Sequence, residues 1–272
     1  MFTFTHAGKM GDILYSLYFC KEFSEHFNAV PFIYHIQTNR REKDFNKNSN
    51  NTEVMISPES AAFIKPLLEA QTYIREVLVG DEKPQGAIDL NSFRSNFINP
   101  FGCEIRDWYY NFGQPSLPRE FWKPALHVEP SPKYKDKILV SLTTRYVNVG
   151  IDYKQLGQFK AHLAFIGTDR EYETFQRNYF ELERAPLAKD DTLLTAAQYL
   201  AGAKGFIANQ SGFYSLAELM KINRILLTPD WVRDGLNRVM MGPKNNLPLG
   251  GWCHSVSFTP KVVSLVKDLL AM

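Results

Sequence analysis

The stretch MFTFTHAGKMGD, residues 1–12, opens the chain and gives the clearest indication of its fold. Met1–Thr5 predicts a strand, and Asp12–Phe27 repeats apolar side chains at the spacing of an α-helix. The loop between them, Ala7–Gly11, contains two glycines, which allow a backbone to approach a ligand closely. A strand, a glycine-containing loop and a helix in this order predict the first unit of a parallel α/β sheet.

The alternation of strands and helices continues along the chain. Further strands are predicted over Val30–Ile36, Ile74–Val79, Ala87–Leu90, Lys137–Leu142, His162–Ile166, Phe206–Ala208 and Arg224–Leu227. Further helices are predicted over Ser57–Ala70, Arg170–Tyr179, Thr192–Ala203, Phe213–Lys221 and Phe258–Met272. Loops are predicted over Arg40–Thr52 and Thr228–Ser255, and an aromatic-rich helix or irregular segment over Phe101–Phe112.

A proline-rich segment, Gln114–Lys135, interrupts this alternation with five prolines. Proline fixes φ and removes a backbone donor, so the segment is neither a helix nor a central strand and is the best candidate for a linker. We therefore predict an α/β protein of two facing Rossmann-like domains, residues 1–126 and 127–272, each with a parallel sheet, and a C-terminal helix.

The composition is that of a soluble protein with a sizeable core, since 44% of the 272 residues are hydrophobic and 22% are charged. The formal net charge of +2 gives no indication of nucleic-acid binding, although it does not exclude it. Cys20, Cys103 and Cys253 lie far apart, without the spacing of metal ligands, which predicts free thiols in a cytoplasmic protein. With no signal-peptide pattern and no run of about 18 apolar residues, we expect no membrane span.

The first candidate site is the loop after the first predicted strand. It consists of His6, Gly8, Lys9, Met10, Gly11 and Asp12. The Gly-x-x-Gly spacing is not the Gly-x-Gly-x-x-Gly fingerprint of a dinucleotide site. Asp12, at the carboxyl edge of the predicted sheet, could be a general base for an acceptor hydroxyl or only a helix cap.

Three further candidates lie at strand ends in the second half of the chain. Thr143–Arg145 could hold a diphosphate or form an ordinary polar strand end. Glu171 could accept hydrogen bonds from ribose hydroxyls or stabilise a helix dipole. The turn at Ser211-Gly212 could present backbone N–H groups to a phosphate or be an ordinary capped turn.

Together these segments resemble, in order and spacing, the motifs of the heptosyltransferase family, which belongs to the GT-B glycosyltransferases. Gly8–Leu14 resembles the family's Gly-x-x-Gly-Asp-x-Leu motif, and Leu142–Arg145 resembles its phosphate-contacting segment. Ile166–Glu171 resembles its Gly-x-x-x-Glu stretch, and Asn209–Ala217 resembles its Asn-Asp-Ser-Gly-x-x-His-Leu-Ala motif. Two positions depart from the family, since Gln210 replaces its usual Asp and Ser215 its usual His.

The resemblance implies an inverting transfer from a nucleotide-diphosphate sugar to a carbohydrate or other hydroxyl acceptor, without a metal or cofactor. Asp12 would be the base, and the loop before it would lie near the acceptor. The donor would be bound by Thr143, Thr144, Arg145, Glu171, Asn209, Gln210, Ser211, Gly212 and Ser215.

Two alternative functions remain open from the sequence. Gln210 and Ser215 are compatible with a non-catalytic protein that binds a nucleotide or nucleotide sugar on the same fold. The small size and the basic loop at Arg40–Lys47 are compatible with a phage-type glycosyltransferase that acts on modified DNA bases. A nucleotide-sugar epimerase is disfavoured, because the chain has neither a dinucleotide fingerprint nor a Tyr-x-x-x-Lys pair.

Overall fold

The computed structural model describes residues 1–45, 49–91, 107–110, 116–144, 146–185, 187, 191–228, 253–256 and 258–272. The chain divides into two compact units. Unit 1 contains Met1–Phe121, Ala125–His127 and Thr192–Leu194, and unit 2 contains Trp122–Pro124, Val128–Asp191 and Thr195–Met272. The predicted boundary at residues 126/127 and the facing arrangement of two domains stay predictions.

Unit 1 is built on a four-stranded parallel sheet. Its strands are β1 (Thr3–His6), β2 (Phe32–Gln37), β3 (Ile74–Gly80) and β4 (Ile88–Asp89), in the order β3-β2-β1-β4. Its helices include α1 (Met10–His26) and α2 (Pro58–Glu69), with a 3₁₀ turn at Glu42–Asp44. The predicted start of α2 is confirmed, because Pro58 is its first residue and the Ser57 hydroxyl accepts the Ser60 N–H.

Aromatic packing and a nearly all-round buried helix form the core of unit 1. Every residue from Asp12 to Cys20 is buried, so α1 is covered on more than one side. Phe4 on β1 packs edge-on against Phe19 of α1 and Phe32 of β2. These contacts fix β1 and α1 against each other, and with them the loop that joins the two elements.

Unit 2 is built on a six-stranded parallel sheet. Its strands are β5 (Ile138–Ser141), β6 (Leu163–Phe165), β7 (Glu183–Arg184), β8 (Gly205–Asn209), β9 (Arg224–Leu227) and β10 (Cys253–Val256), in the order β10-β9-β8-β5-β6-β7. Its helices include α3 (Asp169–Asn178), α4 (Leu193–Gly202, of which Leu193 and Leu194 belong to unit 1), α5 (Gly212–Met220) and α6 (Thr259–Ala271). On α6, Val262, Leu265, Val266 and Leu269 are buried against the sheet core, as the sequence predicts.

Two local predictions are wrong, and one short strand was not predicted. Cys253–Val256 forms β10 alongside β9, although all but its last residue falls in a segment predicted to be a loop. Glu183–Arg184 forms the short edge strand β7, which was not predicted. His162 ends a 3₁₀ helix, Tyr153–His162, and the next strand begins at Leu163. Short strands of this kind are defined by pairing with a neighbour and carry little local sequence signal.

No helix within the described residues has the length and apolar character needed to cross a membrane.

Candidate functional site

Both sheets reverse their strand order at a comparable place. In unit 1 the chain passes from β1 to β2 and β3 and then returns to place β4 on the other side of β1. In unit 2 it passes from β5 to β6 and β7 and then places β8 on the other side of β5. In open parallel sheets, ligands bind outside the carboxyl ends of the strands at such switch points. The loops after β1 and β5 are therefore the candidate ligand-binding loops of the two units.

In unit 1, the backbone N–H groups of the loop after β1 are bound within the unit. Ala7 N–H donates to Asn91 Oδ1 at 2.7 Å, Gly8 N–H to His6 Nδ1 at 2.8 Å, and Lys9 N–H to Asp12 Oδ2 at 3.2 Å. Asn91 is itself held, since its own N–H and Nδ2 both donate to Asp89 Oδ1 at 2.9 Å. The three loop amides therefore organise the loop and are not left for an anion.

Asp12 is the residue around which this loop is arranged. It is the third residue of α1, is 6% exposed, and binds the N–H of Lys9 directly before the helix. The carboxylate therefore meets the positive end of the helix dipole, as the capping interpretation predicts. A base role at Asp12 is compatible with this geometry and stays a prediction.

The lack of a side chain at Gly8 allows its backbone to lie close to both His6 and Asp12. A Cβ on Gly8 would lie 2.5 Å from His6 Cε1 and 2.8 Å from both the Cβ and Oδ2 of Asp12. The backbone of Gly8 thus fills the space between the imidazole and the carboxylate, and any side chain would displace one of them.

His6 joins the loop to a distant segment. Its Nε2 lies 2.8 Å from the hydroxyl of Tyr109, which also donates to the backbone carbonyl of Asp12 at 2.8 Å. His6 is fully buried. The other predicted loop residues are more exposed: Lys9 forms a 3.8 Å ion pair with Glu53, and Met10 and Gly11 begin α1 as partly buried residues.

In unit 2, the side chain of Asn209 clamps the loop after β5. Asn209 ends β8 and is fully buried. Its Oδ1 accepts the backbone N–H of Thr143 at 3.0 Å and the Thr143 hydroxyl at 3.3 Å, and its Nδ2 donates to the Thr143 carbonyl at 2.9 Å. The amide therefore fixes the position of Thr143, and the predicted contact of Asn209 with a donor stays a prediction.

The N-terminus of α5 lies directly after this clamp. Ser211 caps the helix, since its hydroxyl accepts the N–H of Tyr214 at 3.2 Å. The N–H groups of Gly212 and Phe213 begin the helix and have no acceptor within the described part of the chain. The first turn of α5 contains no acidic residue, whereas that of α1 contains Asp12.

The remaining predicted donor residues of this edge differ in their surroundings. Ser215 is fully buried, and its hydroxyl donates to the Ser211 carbonyl of its own helix at 3.2 Å. Gln210 is 3% exposed, and its side chain makes no hydrogen bond to any residue that the structure describes. Thr144 is exposed. Arg145 lies outside the described residues.

Glu171 forms a capping box at the start of α3. Its Oε2 accepts the N–H of Thr168 at 3.0 Å and the Thr168 hydroxyl at 2.9 Å, and its own N–H donates to that hydroxyl at 3.3 Å. A Cβ on Gly167 would lie 3.0 Å from this oxygen. The structure thus shows the helix-stabilising role, and a ribose contact by Glu171 stays a prediction.

Three residues that position these loops were not identified from the sequence. Asn91 lies two residues after β4, and its position as a polar residue directly after the predicted strand Ala87–Leu90 could have indicated it. Asn148 ties the loop after β5 to the end of β9 by donating to the Thr228 carbonyl at 2.5 Å. Tyr109 lies 103 residues from His6, and no sequence pattern indicates their contact.

The described residues contain no group of three His, Cys, Asp or Glu side chains that could hold a metal ion.

The fold itself has a solved counterpart. The structure of a glycosyl transferase family 9 protein from Veillonella parvula DSM 2008 is similar, with a TM-score of 0.57 and 13% identity over 98% of this chain and 88% of that chain. The chain has the fold of glycosyl transferase family 9. The predicted α/β, heptosyltransferase-like fold is therefore confirmed, and at this identity the likeness concerns the fold alone.

Two structures of the E. coli heptosyltransferase WaaC are also similar. The structure with ADP has a TM-score of 0.46 and 14% identity, covering 100% of this chain and 98% of that chain. The structure with ADP-2-deoxy-2-fluoro heptose has a TM-score of 0.48 and 13% identity, covering 98% of this chain and 99% of that chain. No family model and no curated protein matches the sequence.

Proposed function

We propose that the chain is a glycosyltransferase that moves a sugar from a nucleotide-diphosphate donor to an acceptor hydroxyl. The observation that carries this proposal is the difference between two helix N-termini at the two switch points. The first turn of α1 carries its own carboxylate, Asp12, whereas the first turn of α5 carries no acid and has a neutral cap, Ser211. The start of α1 therefore suits a base, and the start of α5 suits an anionic ligand.

The donor side is assigned to unit 2. The Gly212 and Phe213 N–H groups and the dipole of α5 together favour a phosphate oxygen. Thr143 is held by Asn209, and the next residue, Thr144, is exposed with its hydroxyl available to a second phosphate. Gln210 adds an amide without a hydrogen bond to the described residues. These groups would bind a diphosphate through neutral donors, and a metal ion is not required.

The acceptor side is assigned to unit 1. The Lys9 N–H fixes one oxygen of the Asp12 carboxylate, and the backbone of Gly8 allows that carboxylate to lie close to the loop. A carboxylate with a defined direction can accept a proton from a hydroxyl group as that group attacks.

The proposed reaction is a single displacement with inversion. The acceptor oxygen forms a bond to the anomeric carbon and loses its proton to Asp12. The bond from that carbon to the phosphate oxygen breaks, and the diphosphate leaves with the electron pair. The N-terminus of α5 stabilises the charge that develops on the departing diphosphate.

A non-catalytic nucleotide-binding protein is the second candidate. It is favoured by Ser215, whose hydroxyl is bonded to the Ser211 carbonyl and offers no imidazole to the donor at the position of the family's histidine. Such a protein would bind a nucleotide diphosphate through α5 without any dependence on Asp12.

The proposal is tested by thermal unfolding with a panel of nucleotide diphosphates and nucleotide sugars, without added metal. A ligand at about 100 times its Kd adds about 2.7 kcal/mol, or roughly 5–10 °C for a chain of this size. Gly212→Asp places a carboxylate where the phosphate would bind and should abolish the shift, whereas the isosteric Gly212→Asn should retain most of it. Stabilisation by no member of the panel, or equal stabilisation of both variants, would contradict the assignment of α5.

A further inference from the structure

Hydrogen-bond geometry determines where each proton lies in a buried chain of contacts in unit 1. The Gly8 N–H is a donor, so the His6 Nδ1 that lies 2.8 Å from it must be an unprotonated acceptor. A neutral imidazole then carries its proton on Nε2, which lies 2.8 Å from the Tyr109 hydroxyl oxygen. That hydroxyl donates its own proton to the Asp12 carbonyl at 2.8 Å. Each donor therefore meets an acceptor in one consistent direction.

This series of hydrogen bonds closes a ring around the loop that carries the Asp12 carboxylate. It begins at the Gly8 N–H, passes through His6 and Tyr109, and returns to the backbone of Asp12. His6 is fully buried and Tyr109 is 2% exposed, so water does not readily replace these contacts. Because both nitrogens of His6 are engaged, the imidazole is a structural link and not the base.

We propose that Tyr109 is a positioning residue, which holds the His6–Asp12 loop and so directs the Asp12 carboxylate. The inference rests on the proposed function, because direction matters only if Asp12 accepts a proton. Tyr109 acts on this carboxylate in two ways: its hydroxyl holds the backbone of Asp12 directly, and it fixes the imidazole beside which Gly8 packs. A displacement of about 1 Å at a catalytic group can reduce a rate by about 100-fold.

The neighbouring residue provides a matched control. Tyr110 is also fully buried, but its hydroxyl donates to Glu22 Oε2 on α1 at 2.7 Å. Tyr109→Phe and Tyr110→Phe therefore remove the same atom from adjacent buried residues. Only the first change breaks the ring of contacts that includes His6.

The first measurement is the tautomer of His6 by ¹⁵N NMR of histidine-labelled protein, with the signal assigned by His6→Gln. We expect a neutral Nε2–H form at pH 7 in the wild type and in Tyr110→Phe, and a changed ¹⁵N pattern in Tyr109→Phe. An Nδ1–H or doubly protonated His6 in the wild type overturns the proposal, as does an identical pattern in all three proteins. The wild-type spectrum decides this even if a variant does not fold.

The second measurement separates positioning from folding. With a donor from the nucleotide panel, Tyr109→Phe should lower kcat about 10-fold or more, while Tyr110→Phe changes it by less than about threefold. The donor KM should stay within about twofold in both variants. Equal losses of kcat, or a change confined to KM, overturn the positioning role. If the wild type transfers no sugar, the proposed function fails and the role with it, whereas the NMR result still stands for the hydrogen-bond ring.

Discussion

At both switch points an asparagine side chain binds a loop, but the two asparagines make different hydrogen bonds. In each unit an asparagine near the carboxyl end of a strand that pairs with the first strand binds the loop after that first strand. Asn91 lies two residues after β4, and Asn209 is the last residue of β8. Asn91 of unit 1 accepts the N–H of Ala7, and its side-chain NH₂ group donates to the Asp89 carboxylate. Asn209 of unit 2 binds both the N–H and the carbonyl of Thr143. Asn209 thus binds both backbone groups of one loop residue, whereas Asn91 binds only the N–H of its loop residue.

The difference shows how one topology can supply two chemical roles. In unit 1, the loop folds around the Asp12 carboxylate, which occupies the positive end of α1. In unit 2, the Asn209 side chain holds the loop. Among the described residues, the positive end of α5 has a neutral serine cap and no acid in its first turn. A helix terminus that already holds a carboxylate repels a second anion, whereas a neutral one attracts it.

Loss of the Asn209 clamp should have the largest effect on stability. Asn209→Ala leaves two backbone groups of Thr143 without their partner, so we expect a loss of about 2–3 kcal/mol in urea unfolding. Asn91→Ala removes one acceptor from a loop amide and should cost about 1–2 kcal/mol. Nucleotide binding should weaken only in the Asn209 variant. An equal loss of nucleotide affinity in both would break the distinction between the two edges.

A side chain at Gly8 should come next. Gly8→Ala forces the His6 ring or the Asp12 carboxylate to move, with an expected cost of about 1–3 kcal/mol and a loss of transfer activity. Gly80→Ala is the control, because the nearest atom to its Cβ would be His35 Nε2 at an ordinary 3.8 Å. Circular dichroism melting of both variants measures the contrast. A Gly8→Ala protein as stable as Gly80→Ala would show that the loop is not tightly packed.

Protonation of His35 should make the stability of the protein depend on pH. His35 on β2 is buried and bonded through Nδ1 to the Thr5 hydroxyl at 2.9 Å, and burial lowers its pKa below the ordinary 6.5. As pH falls below about 6.5, the unfolded chain takes up this proton first, so the free energy of unfolding should fall. The free energy of unfolding, measured with urea at several pH values between 7.5 and 5, should therefore change less steeply with pH in His35→Gln than in the wild type. Parallel slopes would mean that His35 is protonated equally in both states.

The smallest effect is expected at Ser215. Within the part of the chain that the structure describes, its hydroxyl donates only to the Ser211 carbonyl one helical turn before it, so Ser215→Ala should change stability by less than about 1 kcal/mol. Nucleotide-dependent stabilisation should be unchanged in the thermal assay. A marked loss of that stabilisation would show that this hydroxyl contacts the donor, as the family resemblance implies.

Features governed by local sequence could be predicted. Three such features are the Ser57-Pro58 start of α2, the buried face of α6 and the Ser211 cap of α5, and each follows from side chains within a single helix or its cap. The strand–helix alternation was sufficient to predict parallel sheets. The short strands β7 and β10 were missed because their pairing partners, not their own residues, define them.

The contacts that shape the two edges are long-range and could not be predicted. Asn91 is 84 residues from Ala7, and Asn209 is 66 residues from Thr143. Sequence spacing places each asparagine at a strand end but does not say which loop its side chain meets. The motif resemblance indicated Asp12 and Asn209, yet the clamp formed by Asn209 depends on β8 lying beside β5.

The most direct test of the two-edge account is to measure binding and transfer separately in Asp12→Asn. We predict that this variant binds the nucleotide diphosphate identified by the panel with a Kd within about twofold of the wild type, measured by calorimetry. Transfer of the sugar, measured as released nucleotide diphosphate with a responsive acceptor, should fall by about 100-fold or more, because the proton acceptor is lost. Full transfer by Asp12→Asn, or loss of nucleotide binding together with transfer, would contradict the assignment of the base to unit 1 and the donor to unit 2.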